Sequence, residues 1–81
     1  MTFYEAALAV LEREGKPLHV DQLTEIALKD SLLSHVGKSP QEVMLSRLLA
    51  MARRRNDRRV LATAPQTFAL VEWGLPEDPA A

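Results

Sequence analysis

The sequence predicts a mainly α-helical fold that ends in a small β-hairpin, which is the element order of a winged helix-turn-helix domain. Three observations lead to this prediction. Helix-capping signals occur at Thr2 and at Ser39. Each of these signals marks the start of a helix, and a shorter helical segment lies between the two helices. Two strand-like runs follow the last helix. The chain has 81 residues, 47% hydrophobic and 26% charged, which is enough apolar material for one domain with its own core.

The first helix is predicted from Thr2 to about Glu14. Thr2 and Glu5 form a capping box, in which the hydroxyl and the carboxylate each accept a free backbone amide at the helix start. Its apolar residues recur at helical spacing: Phe3, Ala7, Val10 and Leu11. Gly15 and Pro17 then end the helix, because these residue types commonly follow a last helical turn.

The second helix is predicted to follow a short extended segment, residues 18–20. Asp21 is the expected N-cap, with Val20 beside it as a hydrophobic staple, and the helix should run to about Asp30. Leu23, Ile26 and Ala27 are expected to face inward. Residues 31–38 contain a glycine and no clear period, which predicts a turn.

The third helix carries the strongest start signal, because Ser39 is followed by Pro40 and by Glu42 at the closing position of a capping box. The helix is expected to continue to about Arg55, before a turn at residues 56–57. Its apolar side chains cluster in one direction: Met44, Leu48, Met51 and Ala52. Polar and basic side chains occupy the other half of the helix: Ser46, Arg47, Arg53 and Arg54.

Two strand-like runs, residues 59–63 and 67–73, predict a hairpin that turns at residues 64–66. Trp73 is the only tryptophan and is expected to anchor this hairpin against the first helix, since one large aromatic can supply much of a small core. Residues 75–81 are rich in proline and acid without any period, which predicts a linker or tail. The domain is therefore expected to span residues 1–74.

Positive charge is concentrated in residues 47–59, which hold six arginines and one acid. Residues 1–46 hold seven acids and four bases, and residues 60–81 hold three acids and no base. The basic segment joins the third helix to the hairpin, which is where a small helix-turn-helix protein contacts DNA phosphate. The predicted DNA-binding residues are Lys38, Ser46, Arg47, Arg53, Arg54, Arg58 and Arg59. A structural role is the alternative, because bases near a helix C-terminus also interact favourably with the helix dipole.

Other kinds of site find little support in the sequence. Cysteine is absent, and His19 and His35 are sixteen positions apart without further ligands at metal-binding spacing. Gly37-Lys38-Ser39 resembles part of a phosphate-binding loop, but Leu32 stands where that motif needs its first glycine. No catalytic constellation is evident, so we expect neither an enzyme nor a cofactor. The longest apolar run is too short to cross a bilayer, which predicts a cytoplasmic protein, nucleoid-associated in a bacterium or nuclear in a eukaryote.

Three sequence blocks resemble the HARE-type helix-turn-helix family: GKPLHV at 15–20, GKSP at 37–40, and TFAL followed by Glu72-Trp73 at 67–73. This winged-helix module occurs in ASXL-type chromatin proteins, in restriction-endonuclease fusions and, in related form, in the delta subunit of bacterial RNA polymerase. The resemblance covers roughly residues 3–74. It implies a double-stranded DNA-binding role without catalysis, usually within a larger regulatory or DNA-processing protein.

Two departures from the family pattern concern the wing. The family commonly has an aromatic residue at the start of the first wing strand, where this chain has Arg59 and Val60. It often has a glycine in the wing turn, where this chain has residues 64–66 without one. The delta-type relatives act on RNA polymerase, so the alternative function is protein binding, to an acidic partner such as a polymerase.

Overall fold

The computed structural model describes residues 2–33, 39–54 and 56–79 of the chain. Its elements are α1 (Phe3–Glu14), β1 (Leu18–His19), α2 (Val20–Lys29), α3 (Pro40–Ala52), β2 (Val60–Ala64), β3 (Thr67–Leu70) and a 3-10 turn (Val71–Trp73). The three strands form one antiparallel sheet in the order β1-β3-β2. This architecture confirms the predicted winged helix-turn-helix fold with mainly helical content.

The capping box at the start of α1 is confirmed. The Thr2 hydroxyl accepts the Glu5 amide at 3.1 Å, and the Glu5 carboxylate accepts the Thr2 amide at the same distance. The pKa of Glu5 lies below its ordinary value, chiefly because the Thr2 backbone amide donates a hydrogen bond to its carboxylate. At the other end Gly15 adopts a left-handed φ of 71°, a conformation that glycine enters without steric cost.

The prediction that Asp21 caps α2 is wrong, because the helix starts earlier in the chain. His19 is the N-cap: its ring Nδ1 accepts the Asp21 amide at 3.1 Å, and the Gln22 side chain accepts the His19 amide at 3.2 Å. Val20 is therefore the first helical residue and is buried, instead of lying outside the helix as a staple. His19 also pairs with Thr67 of β3, so one residue ends the strand and begins the helix.

The histidine cap gives a stability prediction. We expect His19→Ala to lower the free energy of unfolding by about 0.5–2 kcal/mol, because the Asp21 amide loses its acceptor. His19→Asn is the control, since an asparagine oxygen can accept the same hydrogen bond and should retain most of the stability. Urea unfolding of the two variants measures the difference. Equal losses in both would show that the histidine contributes through the strand and not through the cap.

The third helix begins at Pro40 as predicted, with Ser39 at the N-cap position. The Ser39 hydroxyl makes no capping hydrogen bond to the described residues, so the predicted capping box is wrong. Instead the Ser39 carbonyl accepts the Glu42 amide at 3.1 Å. The helix also ends at Ala52, three residues earlier than predicted. There the Arg58 guanidinium donates a hydrogen bond to the Ala52 carbonyl at 2.8 Å. In a longer helix a backbone amide of the next turn would donate to this carbonyl instead.

The hairpin is confirmed, but the first strand is shifted by one residue, to Val60–Ala64, and the second is shorter than predicted. The first begins at Val60 instead of residue 59, and the second ends at Leu70, so residues 71–73 form the 3-10 turn. Pairing passes from Ala62–Phe68 to Ala64–Thr67, which leaves one extra residue on β2 as a bulge. In the turn, Gln66 takes a left-handed φ of 56°, a conformation that glycine would adopt more readily.

One core joins the inner faces of the helices to the sheet. Of the four α3 side chains that helical periodicity predicted to face inward, three are buried, Met44, Leu48 and Ala52, and Met51 packs against the core partly buried. Phe68 is completely buried and is the largest such side chain, whereas Trp73 packs against the core only half-buried. The main aromatic anchor is therefore Phe68 and not Trp73. No helix among the described residues has the length and apolar character needed to cross a membrane.

Candidate nucleic-acid interface

The exposed face of α3 presents two of the predicted site residues. Ser46 and Arg47 are both exposed, because the opposite face of the helix packs Met44 and Leu48 into the core. Val43, on the same helix, is 40% exposed, one of two large hydrophobic side chains exposed among the described residues. The packed face fixes the helix against the sheet, so its outer face is held in a defined orientation.

Arg53 and Arg54 lie directly beyond this helix. Arg53 is the C-cap, and its amide bonds to the Leu49 carbonyl at 3.1 Å. The Arg54 amide bonds to the Met51 carbonyl at 3.3 Å, so the chain has already left α-helical geometry. Both side chains are exposed, as predicted, but they extend from a turn and not from the helix itself. Their cations stand at the negative end of the helix dipole, which favours positive charge there.

Arg58 is held by two partners within the chain. Its Nη1 donates to the Ala52 carbonyl at 2.8 Å and to Oε2 of Glu77 at 2.7 Å, and its Nη2 lies 3.4 Å from Oε1 of Glu77. Its side chain is only 26% exposed. The guanidinium therefore ties the end of α3 to residue 77, in addition to any role toward a ligand.

Arg59 is also paired inside the molecule. Its Nη2 lies 2.7 Å from a carboxylate oxygen of Glu12 and 3.6 Å from one of Glu72. Its backbone amide donates to the Tyr4 hydroxyl at 3.3 Å. These contacts connect the start of the hairpin to α1 and to the 3-10 turn. Two acids thus offset the charge of Arg59, although the side chain remains 53% exposed.

The structure divides the predicted basic cluster between clefts. Arg53, Arg54 and Arg58 line one cleft of about 570 Å³, which we call the arginine cleft. Its other lining residues come from the end of α3, from β2 and from the chain after the 3-10 turn: Leu49, Ala52, Ala62, Glu77, Asp78 and Pro79. Arg47 lines a separate cleft of about 490 Å³ with Phe3, Tyr4 and Met51. Lys38 and Arg55 lie outside the described residues.

The cationic groups differ in whether they are already paired. Arg58 and Arg59 form ion pairs, whereas Arg47, Arg53 and Arg54 form none with the residues that the structure describes. Pairing lowers the net charge that a side chain offers to an outside anion. Among the described residues of segment 47–59, the positive charge available to a ligand therefore comes chiefly from these three arginines.

Sequence reasoning missed the return of residues 77–79 to the arginine cleft. The Asp78 amide donates to the Ala62 carbonyl at 2.8 Å, and Glu77 pairs with Arg58. The only signal in the sequence was the charge itself, two acids some twenty positions after a run of bases. Among the described residues, no group of three or more histidine, cysteine or acidic side chains is placed to hold a metal ion.

A comparison with protein families matches residues 1–73 to the HARE-HTH family, whose description names ASXL proteins and a restriction endonuclease HTH domain. No curated protein and no solved structure shows significant similarity to the chain. The match covers all three helices, the sheet and the 3-10 turn, and it ends before residues 77–79 that return to the arginine cleft. This chain belongs to the HARE-HTH family of DNA-binding helix-turn-helix domains.

Proposed function

We propose that this domain binds double-stranded DNA with α3 in the major groove and with the arginines after α3 on the phosphate backbone. One observation carries the proposal: Arg47, Arg53 and Arg54 are exposed along α3 and its end, without ion-pair partners among the described residues. Unpaired arginines beside an exposed helix are what backbone docking requires, since each neutralised phosphate releases condensed counterions. The family of the domain supports the same partner.

Within this proposal the two parts of the surface have different roles. Ser46 and Arg47 lie on the helix face that would enter the groove, where arginine can bind the O6 and N7 atoms of guanine with both arms. Arg53 and Arg54 follow the helix and would contact phosphate, which fixes the register of the domain on the duplex. Specificity then depends on few base contacts together with DNA shape.

The proposed interface also includes three cations that would add further phosphate contacts: Lys38, Arg58 and Arg59. Lys38 precedes the start of α3 in sequence, where the positive end of the helix dipole favours a phosphate. Arg58 and Arg59 are at the start of the wing, and each would have to exchange an internal carboxylate for a phosphate. We therefore expect these two arginines to contribute less to DNA affinity than Arg53 and Arg54.

The larger context of the domain is also part of the proposal. We infer that residues 1–74 are the DNA-binding unit and that residues 75–81 are a tail or linker. The unit would act as the DNA-reading part of a larger transcription, chromatin or DNA-processing protein. The family description supports this because it names a restriction endonuclease alongside a helix-turn-helix domain.

A second function, binding to an acidic protein such as a polymerase subunit, has one observation in its favour. The cleft that Arg47 lines is mainly apolar, with Phe3, Tyr4 and Met51 on its walls. An apolar cleft with a cation beside it suits a peptide that combines an apolar side chain with an acid. DNA would make little use of the apolar walls.

Fluorescence anisotropy with a random labelled duplex, measured at several salt concentrations, tests the proposal. We expect the logarithm of affinity to fall with the logarithm of salt at a slope of about −1.8, since each of the two phosphate contacts, from Arg53 and Arg54, contributes about −0.9. Further contacts from Lys38, Arg58 or Arg59 would steepen the slope. No duplex binding at low salt, together with capture of an acidic protein partner, would support the second function instead.

A further inference from the structure

The chain after the wing turns back onto the domain. Gly74 ends the 3-10 turn in a left-handed conformation, with φ 71°, and its amide bonds to the Val71 carbonyl at 3.1 Å. Four residues later the Asp78 amide donates to the Ala62 carbonyl of β2 at 2.8 Å. A backbone hydrogen bond of this kind places residues 77–79 beside β2 independently of any side-chain charge.

This placement brings the Glu77 carboxylate onto Arg58. Both carboxylate oxygens face the guanidinium, at 2.7 Å from Nη1 and 3.4 Å from Nη2. A phosphate presents two oxygens to arginine in the same forked arrangement. The carboxylate therefore occupies the position on Arg58 that a phosphate oxygen pair would take.

The same residues contribute to the lining of the arginine cleft. Glu77, Asp78 and Pro79 line it together with the three arginines Arg53, Arg54 and Arg58. Two acids of the chain thus stand in a cleft whose three cations would otherwise attract an outside anion. An oligoanion such as DNA would meet these acids as it approached.

We propose that Glu77 and Asp78 compete within the molecule for the arginine cleft and that a backbone phosphate of DNA displaces them. This inference rests on the proposed DNA-binding function and adds a regulation of the same surface. The two acids belong to the same chain as the arginine cleft and therefore have a high effective concentration there. They can compete with DNA even if each contact is weak. Its contact is reversible, because the paired side chains of Arg58 and Glu77 remain 26% and 40% exposed to solvent.

The test compares duplex affinity between the full chain and its Glu77→Gln and Glu77→Gln/Asp78→Asn variants at low salt. We expect each variant to bind the duplex more tightly, by roughly twofold to tenfold, since exposed pairs contribute little each. Glu25→Gln is the matched control: it also removes one exposed carboxylate, and Glu25 makes no ion pair with the described residues. Thermal melting confirms that each variant is folded.

Three results would overturn the inference. Unchanged or weaker duplex binding by both tail variants would show that the acids do not compete. An equal gain in Glu25→Gln would show that the gain reflects net charge and not the contact with Arg58. A full chain and variants that all fail to bind the duplex would refute the proposed function itself, and the inference with it. If the double variant fails to fold, Glu77→Gln alone must show the gain.

Discussion

Phe68→Ala is expected to lower the free energy of unfolding by about 3–5 kcal/mol, the largest effect of any single truncation in this domain. Phe68 is completely buried at the centre of the sheet, opposite Leu18 on one side and Ala62 on the other. A domain of this size is typically stable by about 4–12 kcal/mol, so the loss is a large share of the total. Urea unfolding followed by circular dichroism measures it.

Trp73→Ala is the variant whose loss of stability should be compared with that of Phe68→Ala. Tryptophan is the larger side chain, but Trp73 is only half-buried at the edge of the core. Less surface returns to water and a smaller cavity is left, so we expect a smaller loss than for Phe68→Ala. A larger loss for the tryptophan variant would restore Trp73 as the main aromatic anchor.

Arg53→Ala combined with Arg54→Ala is expected to weaken duplex binding about tenfold or more, because in the proposed complex each arginine would form charge-assisted hydrogen bonds to phosphate. The salt slope should become shallower by about 1.8, which corresponds to two lost phosphate contacts. Stability should change little, since both side chains are exposed and only their favourable position at the helix dipole is lost. Anisotropy at several salt concentrations and a thermal melt measure the two quantities.

Lys16→Ala combined with Lys29→Ala is the matched control for this double variant. It also removes two positive charges, but from exposed positions outside residues 47–59. We expect its duplex affinity and salt slope to stay close to those of the unaltered chain. An equal loss in both double variants would mean that DNA senses only the net charge, which would contradict docking through the end of α3.

Local interactions made most of the helices predictable. The capping box of Thr2 and Glu5 involves residues three positions apart, and the inward face of α3 follows from helical period alone. The start of α2 was missed because the capping atom is a histidine ring nitrogen, and histidine is not among the usual N-cap residues. The early end of α3 was missed because Arg58, six positions later, supplies the partner of the Ala52 carbonyl.

The arginines show most clearly what the sequence determined and what it left to the tertiary structure. Composition and spacing alone determined that six arginines crowd residues 47–59, beside the third helix of a winged helix-turn-helix domain. Only the tertiary structure decided which of these arginines are already paired with an acid of the chain. Arg59 forms an ion pair with Glu12, forty-seven positions away, and Arg58 forms one with Glu77, nineteen positions away. The strength of an ion pair depends on distance in space, which separation along the chain does not reveal before the helices and the sheet have packed.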